Sequence, residues 1–515
     1  MGSTGTNNFG EKQGKGFALT ALILGLLTGI AVYGITEFWL DEIENTRLPL
    51  AVLFFITTAA AATLLLASAS QMIRAAIFGI IIAAILTIPN YFMTVTVDDQ
   101  QNLHFFPPNF WFLLGMPLSA YLMTTLAKAS LDEGIPPPYR AIFIHGITLP
   151  LISSGAKIFA LLALPLLFAW AALLKSMDVL FFHNLFQEPW FILPFIGAVG
   201  GLSIALMRAQ QSVLGALRFI LLLFSRIIMP IMAIFSLTFI FVLIANGPGE
   251  ILAKGFTDDF FLGQASAIIL FISFFAMLVF NGVYQNGEGG PPPAWLRIAT
   301  IITIASFPLY AGLAAYGLWV RIGEYGLTPP RIFGFAISTL AFIYSFVCIS
   351  GLITELNWRG KRWMPLVAKL NPLMAITWIA VLFSLATPIA NTWAMSAKSQ
   401  EKLLLSGNIS VDDFDFGYLK FELGDYGDQA LNRLAENTTH PDALAIRAGV
   451  ERARAATSSW EYRKATEKST EENDSAVTLP SGEEEPAPES MQLDLNPADN
   501  PDRADEDAAT DSDPQ

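Results

Sequence analysis

Long apolar runs recur along the chain as far as Trp393, and short polar or Pro/Gly-rich segments separate them. A spanning helix needs about 20 mostly apolar residues. Runs of that kind lie near 17–37, 48–68, 75–96, 108–128, 147–174, 189–206, 221–245, 262–284, 297–320, 332–354 and 372–394. The fifth can begin as early as Ala141 and the seventh upstream of Arg226. This pattern predicts an all-α, polytopic membrane protein with about eleven transmembrane helices. Beyond Trp393 the rhythm changes. Residues 411–456 mix apolar and charged positions at helical spacing: DDFDFGYLKFELG and DQALNRLAE read as a short helical pair, and DALAIRAGVERARAA as an amphipathic helix. The expected organisation is an N-terminal segment over 1–16, a transmembrane domain over 17–394, a small extramembrane helical annex over 395–460 and a tail over 461–515.

Composition strengthens the membrane reading. Of 515 residues, 53% are hydrophobic and 14% charged, against about a quarter charged in soluble proteins. The net charge of −14 is local. Residues 465–515 hold sixteen acids and two bases, which leaves the remainder neutral. Such a segment cannot bury enough apolar surface to fold, and the tail is predicted to be disordered. The single cysteine, Cys348, excludes an intramolecular disulfide.

Charge also predicts orientation, because Lys and Arg concentrate in cytoplasmic loops. With the N-terminus inside, that side collects Lys12, Lys15, Arg74, Lys128, Arg140, Arg208, Arg218, Arg297, Arg359, Lys361, Arg362 and Lys369. The other side keeps Arg47, Lys175, Lys254, Arg321 and Arg331. An odd number of spans then puts the C-terminus on the side opposite the N-terminus. The expected setting is a bacterial inner membrane, with the N-terminus cytoplasmic and the C-terminus periplasmic.

Candidate chemistry is sparse. The central parts of the runs carry essentially no carboxylate. The candidate intramembrane site is His145 with Lys157, the latter set in LISSGAKIFALLALPLL; an ionisable group within a span is a functional hypothesis by default. The alternative for Lys157 is a helix that starts near it, with its stem snorkelling to the interface. The four histidines share no ligand-type spacing, and no nucleotide-binding or hydrolase motif occurs. The reading therefore names no catalytic residue, metal, cofactor or nucleic acid, and enzymatic function has little positive support.

The stretch RIGEYGLTPPR, 321–331, is the charged loop between the ninth and tenth runs. Arg321, Glu324, Tyr325 and Arg331 form the expected polar cluster there. Arg321 and Glu324 share a helix face at three-residue spacing. Arg331 falls at the start of a helix, where the dipole disfavours a cation, and Glu324 is its expected partner. YGLT-x-x-R, together with FIHGITLPLISSGAKIFALLALPLLFAWAALLKSMD upstream and FDFGYLKFELGDYGDQAL downstream, resembles the bacterial polytopic family called domain of unknown function 4153, over most of 140–440. The resemblance implies a multi-span inner-membrane protein of Gram-negative type and no particular reaction. Tyr325 and Arg331 correspond to its motif positions. The leading expectation is a transporter-like or carrier-like protein of the cell envelope, in contact with the lipid bilayer. One alternative is an assembly or scaffold factor that recruits a protein partner through its C-terminal annex. Another is a membrane-embedded enzyme acting on lipid-linked substrates.

Overall fold

The computed structural model describes residues 15–39, 47–68, 70–93, 111–253, 265–357 and 362–465. His104, the segment before Lys15 and the acidic tail after residue 465 lie outside the described residues. The chain is all-α. Eleven helices among the described residues are long and apolar enough to cross a membrane. They are α1 (Lys15–Phe38), α2 (Arg47–Leu66), α3 (Met72–Met93), α4 (Met116–Glu133, entered through a π-helical turn at Trp111–Gly115) and α5 (Tyr139–Lys175). After a short α6 (Phe181–Leu185) come α7 (Pro189–Ala209), α8 (Gln211–Ala253), α9 (Ala265–Tyr284), α10 (Ala294–Tyr325), α11 (Pro329–Asn357) and α12 (Pro365–Leu385). Their apolar character on nearly every side is that of helices whose solvent is lipid.

The two longest of these helices far exceed what a bilayer needs. α5 has 37 residues, about 55 Å at 1.5 Å per residue, against a hydrocarbon core of about 30 Å. It runs without interruption through Lys157, so the reading in which a helix starts near that lysine does not hold. α8 has 43 residues and bends at Gly247, whose φ is 77° and which Pro248 follows.

The two largest apolar cores among the described residues organise the spans. One gathers Leu66 of α2, Leu86 of α3, Trp111 and Phe333 of α11. The other gathers Met229 of α8, Phe280 of α9, Phe307 of α10 and Cys348 of α11. Between α8 and α10, Ser306 Oγ donates to Ser236 Oγ at 2.9 Å and Tyr310 donates to the same oxygen at 3.3 Å. Hydroxyls that satisfy one another in this way hold helices together where no water is present.

Successive spans alternate in direction. The face from which α1 starts is called the near face below, and the other the far face. After α12, four further helices follow: α13 (Thr392–Leu405), α14 (Phe416–Glu422), α15 (Gly424–Glu436) and α16 (Ala443–Ala455). The last three match the helical pair and amphipathic helix of the sequence pattern. α13 falls largely in the stretch expected to be a helical annex, but the pattern marks no separate helix there, because TWAMSAKSQEKLLL lacks a long apolar run. Its start is nonetheless marked: Asn391 accepts from the Ala394 N–H at 2.9 Å, the usual N-cap geometry. Leu419, Leu431, Leu434, Ile446 and Val450 are fully buried in this annex. Arg433 binds Glu401 through two nitrogens, at 3.0 and 2.7 Å, and that bond holds the guanidinium above its ordinary pKa.

The chain divides into two compact units, 1–459 and 460–515. Of the second, residues 460–465 are described. They are helical, and Lys464 Nζ lies 5.0 Å from the centre of the Trp460 ring.

Candidate functional site

The loop within RIGEYGLTPPR is held from two sides. α10 ends at Tyr325, and Gly326 turns the chain with φ 72°. That left-handed value suits glycine, and a Cβ there would also come within 2.9 Å of the Gln400 amide. α11 then begins at Pro329, and the Thr328 hydroxyl accepts the Arg331 N–H at 3.4 Å.

From α11, Arg331 Nη1 donates to the carbonyls of Tyr325 at 3.0 Å and Gly326 at 2.9 Å. Its guanidinium also lies 5.6 Å from the Tyr325 ring centre. The expected partner, Glu324, is not the one used: Glu324 and Arg321 enter no ion pair among the described residues. The physical reason is the end of α10. Its last carbonyls carry the negative pole of the helix, and they sit closer to Arg331 than any carboxylate. The cation disfavoured at the start of α11 is thereby stabilised by the end of α10.

From the annex, α13 grips the same loop. Ser399 Oγ accepts the Leu327 N–H at 2.9 Å, and Ser396 donates to the Leu327 carbonyl at 2.8 Å. Gln400 Nε2 reaches the Tyr325 and Leu327 carbonyls at 3.0 and 3.1 Å. Tyr418 of α14 stands 3.4 Å from Ser396, and burial pushes its phenol up to about 12. Ser396, Ser399 and Gln400 escaped the sequence reading because their helix did. The spacing of three polar residues on one turn, after an Asn cap, was the available signal. Because they meet, the α10–α11 loop and α13 share one side of the helices, the arrangement expected of two spans between them.

On the near face an ionic group joins α4 and α5, buried at Lys128 and His145 and exposed at Asp132. Asp132 Oδ1 lies 2.9 Å from Lys128 Nζ, and Oδ2 lies 3.1 Å from His145 Nε2. Lys128 and His145 are both under 10% exposed. Arg140 and Glu133 approach at 3.5 Å beside them. Arg208, at the end of α7, is also buried. It donates to the carbonyls of Leu64, Leu65 and Ala67 at the end of α2 and stacks on Phe17 at 5.1 Å; the charge of Asp132 reaches it as well. Here too carbonyls at a helix end receive a cation.

Lys157 does not join this group. It is twelve positions beyond His145 on the same helix, about 18 Å away, and its side chain is exposed. Lys128 and Asp132 were missed because they end an apolar run, where a charge reads as an interfacial flank. Only the crossing of α4 and α5 brings them to His145. Among the described residues no group of three or more His, Cys, Asp or Glu could hold a metal.

The arrangement sets one carboxylate between an ammonium and an imidazole. No family model matches the chain, and neither does any curated protein or solved structure.

Proposed function

We propose that this integral membrane protein is a carrier-like protein of the bacterial inner membrane, N-terminus cytoplasmic and C-terminus periplasmic, and that it belongs to the family called domain of unknown function 4153. The observation that carries the carrier reading is the Lys128–Asp132–His145 group between α4 and α5, in which the exposed Asp132 joins two buried basic side chains. Ionisable residues in such positions typically mark ion or substrate pathways and proton relays. Prolines inside α3, α5, α7, α8 and α10 supply kinks of the kind that let spans change shape.

The test uses proteoliposomes loaded with a pH-sensitive dye and a panel of small anions, cations and zwitterions. At least one solute is expected to move protons through the native chain. Asp132→Asn, inserted to the same level, is expected to reduce that movement about tenfold or more, as loss of a proton-transfer group does. A silent panel, or Asp132→Asn acting like the native chain, removes the reading.

A second reading, the assembly factor, is favoured by one observation: α13 ties the annex to the α10–α11 loop through Ser396, Ser399 and Gln400. A chain truncated after Gly407 separates the two. A carrier keeps its flux, and a recruiter loses its partner.

A further inference from the structure

A small cavity opens on the near face where three spans begin or end. Its volume is about 340 Å³, which is within the size range of small-ligand pockets. α8 contributes Arg226, α9 contributes the Tyr284–Asn286 end, and Trp295 stands at the start of α10. The last wall is Trp363, just ahead of α12. None of these residues belongs to the two sites described above.

The cavity is built rather than incidental. The Trp363 N–H donates to the Gly289 carbonyl at 3.1 Å, and Tyr284 donates to the Met364 carbonyl at 2.9 Å. These bonds pin the GEGGPPP turn and the approach to α12 against the end of α9. Within this frame two donors have no protein partner among the described residues. Arg226 enters no ion pair or side-chain hydrogen bond, although it lines the cavity. Trp363 is only 3% exposed, and its indole N–H is buried without an acceptor. Glu288, the acid nearest in sequence to these walls, is exposed and not on them.

Depth follows from the chain. The twenty residues after Arg226, 227–246, carry no charge, enough to cross a bilayer core of about 30 Å. Arg226 lines the same cavity as the end of α9 and the start of α10, which places it at the boundary between headgroups and acyl chains, although the apolar residues 219–224 continue α8 upstream. Trp295, 58% exposed, is placed where indoles favour the interface. Below Arg226, Ile227, Ile231 and Ile234 are exposed. At this spacing they form one apolar stripe down α8, and Ile227 itself lines the cavity.

We propose that this cavity is a phospholipid-binding site. Arg226 holds the phosphodiester, and an acyl chain runs along the stripe from Ile227 to Ile234. A planar guanidinium matches two phosphate oxygens at once, and the stripe has no use for a free phosphate ion.

The test is native mass spectrometry of the full chain, purified in detergent and incubated with phosphatidylglycerol. The native chain is expected to retain one lipid through activation that strips the others. Arg226→Gln is expected to reduce that retention about tenfold or more, the usual consequence of losing a hydrogen bond to a charged group. Arg218→Gln, also on α8 but off the cavity wall, is expected to change nothing. Millimolar inorganic phosphate is expected not to displace the lipid; if it does at concentrations equal to the lipid's, the cavity reads phosphate alone and the lipid assignment falls. Native retention in Arg226→Gln, or equal loss in Arg218→Gln, overturns the site. Should Arg226→Gln fail to fold, Trp295→Ala at the exposed rim serves instead, and unchanged retention there is equally fatal.

Discussion

Arg331 shows how a single side chain can be placed correctly and paired wrongly from sequence. Its position at a helix start called for an electron-rich partner, and Glu324 was the nearest acid. The partner is backbone, and both bonds leave one nitrogen, Nη1. That detail sets the outcome of substitution. Arg331→Lys is expected to be mild, under about 1 kcal/mol, because one ammonium can serve two carbonyls. Arg331→Ala strands the Gly326 carbonyl, whereas Tyr325 keeps its bond from Gln400, and is expected to cost about 1–3 kcal/mol. Thermal unfolding midpoints in detergent check this; a Lys variant as damaged as the Ala variant implies that the planar fork binds something further. His145 teaches the same lesson. It was legible as an ionisable residue in a span, but its Asp132 neighbour was hidden thirteen positions upstream, across a helix junction.

At the scale of elements, the closest pairing joins α1 to α7. A Cβ on Gly25 would collide with the Gly197 carbonyl, and one on Gly201 with the Ala21 carbonyl. Small residues let two backbones approach in this way, which is how helices associate in lipid without a hydrophobic drive. Gly201→Ala is expected to destabilise the fold by about 1–3 kcal/mol, as overpacking does, whereas Gly200→Ala next to it is expected to be near neutral, because a Cβ there meets open space. Paired thermal melts distinguish them; equal losses would place the contact elsewhere. The stretch GAVGGLSIA at 197–205 is rich in small residues, but which glycine faces α1 depends on helix rotation, which the pattern does not specify.

For the whole molecule, parity governs everything. In the proposed topology, eleven spans put α13–α16 on the face opposite the start of α1. Reporter fusions after Ser459 are expected to read as exported, and fusions in the loop after Gly134 as cytoplasmic. Cytoplasmic signals at both sites would require one span fewer or more between Gly134 and Ser459.

The number of spans, their alternation and the helical character of the annex were written in the sequence, because lipid demands helices of a minimum length with internally satisfied backbones. These are local requirements, met residue by residue. What pairs with what was settled only by the packed chain. Asp132 between Lys128 and His145, Arg331 on the end of α10, α13 on the Leu327 backbone and Arg226 at the rim of its cavity all depend on the rotation and crossing of helices. Those follow from how neighbouring side chains fit, and a hydropathy pattern with apolar residues on every face leaves that rotation open.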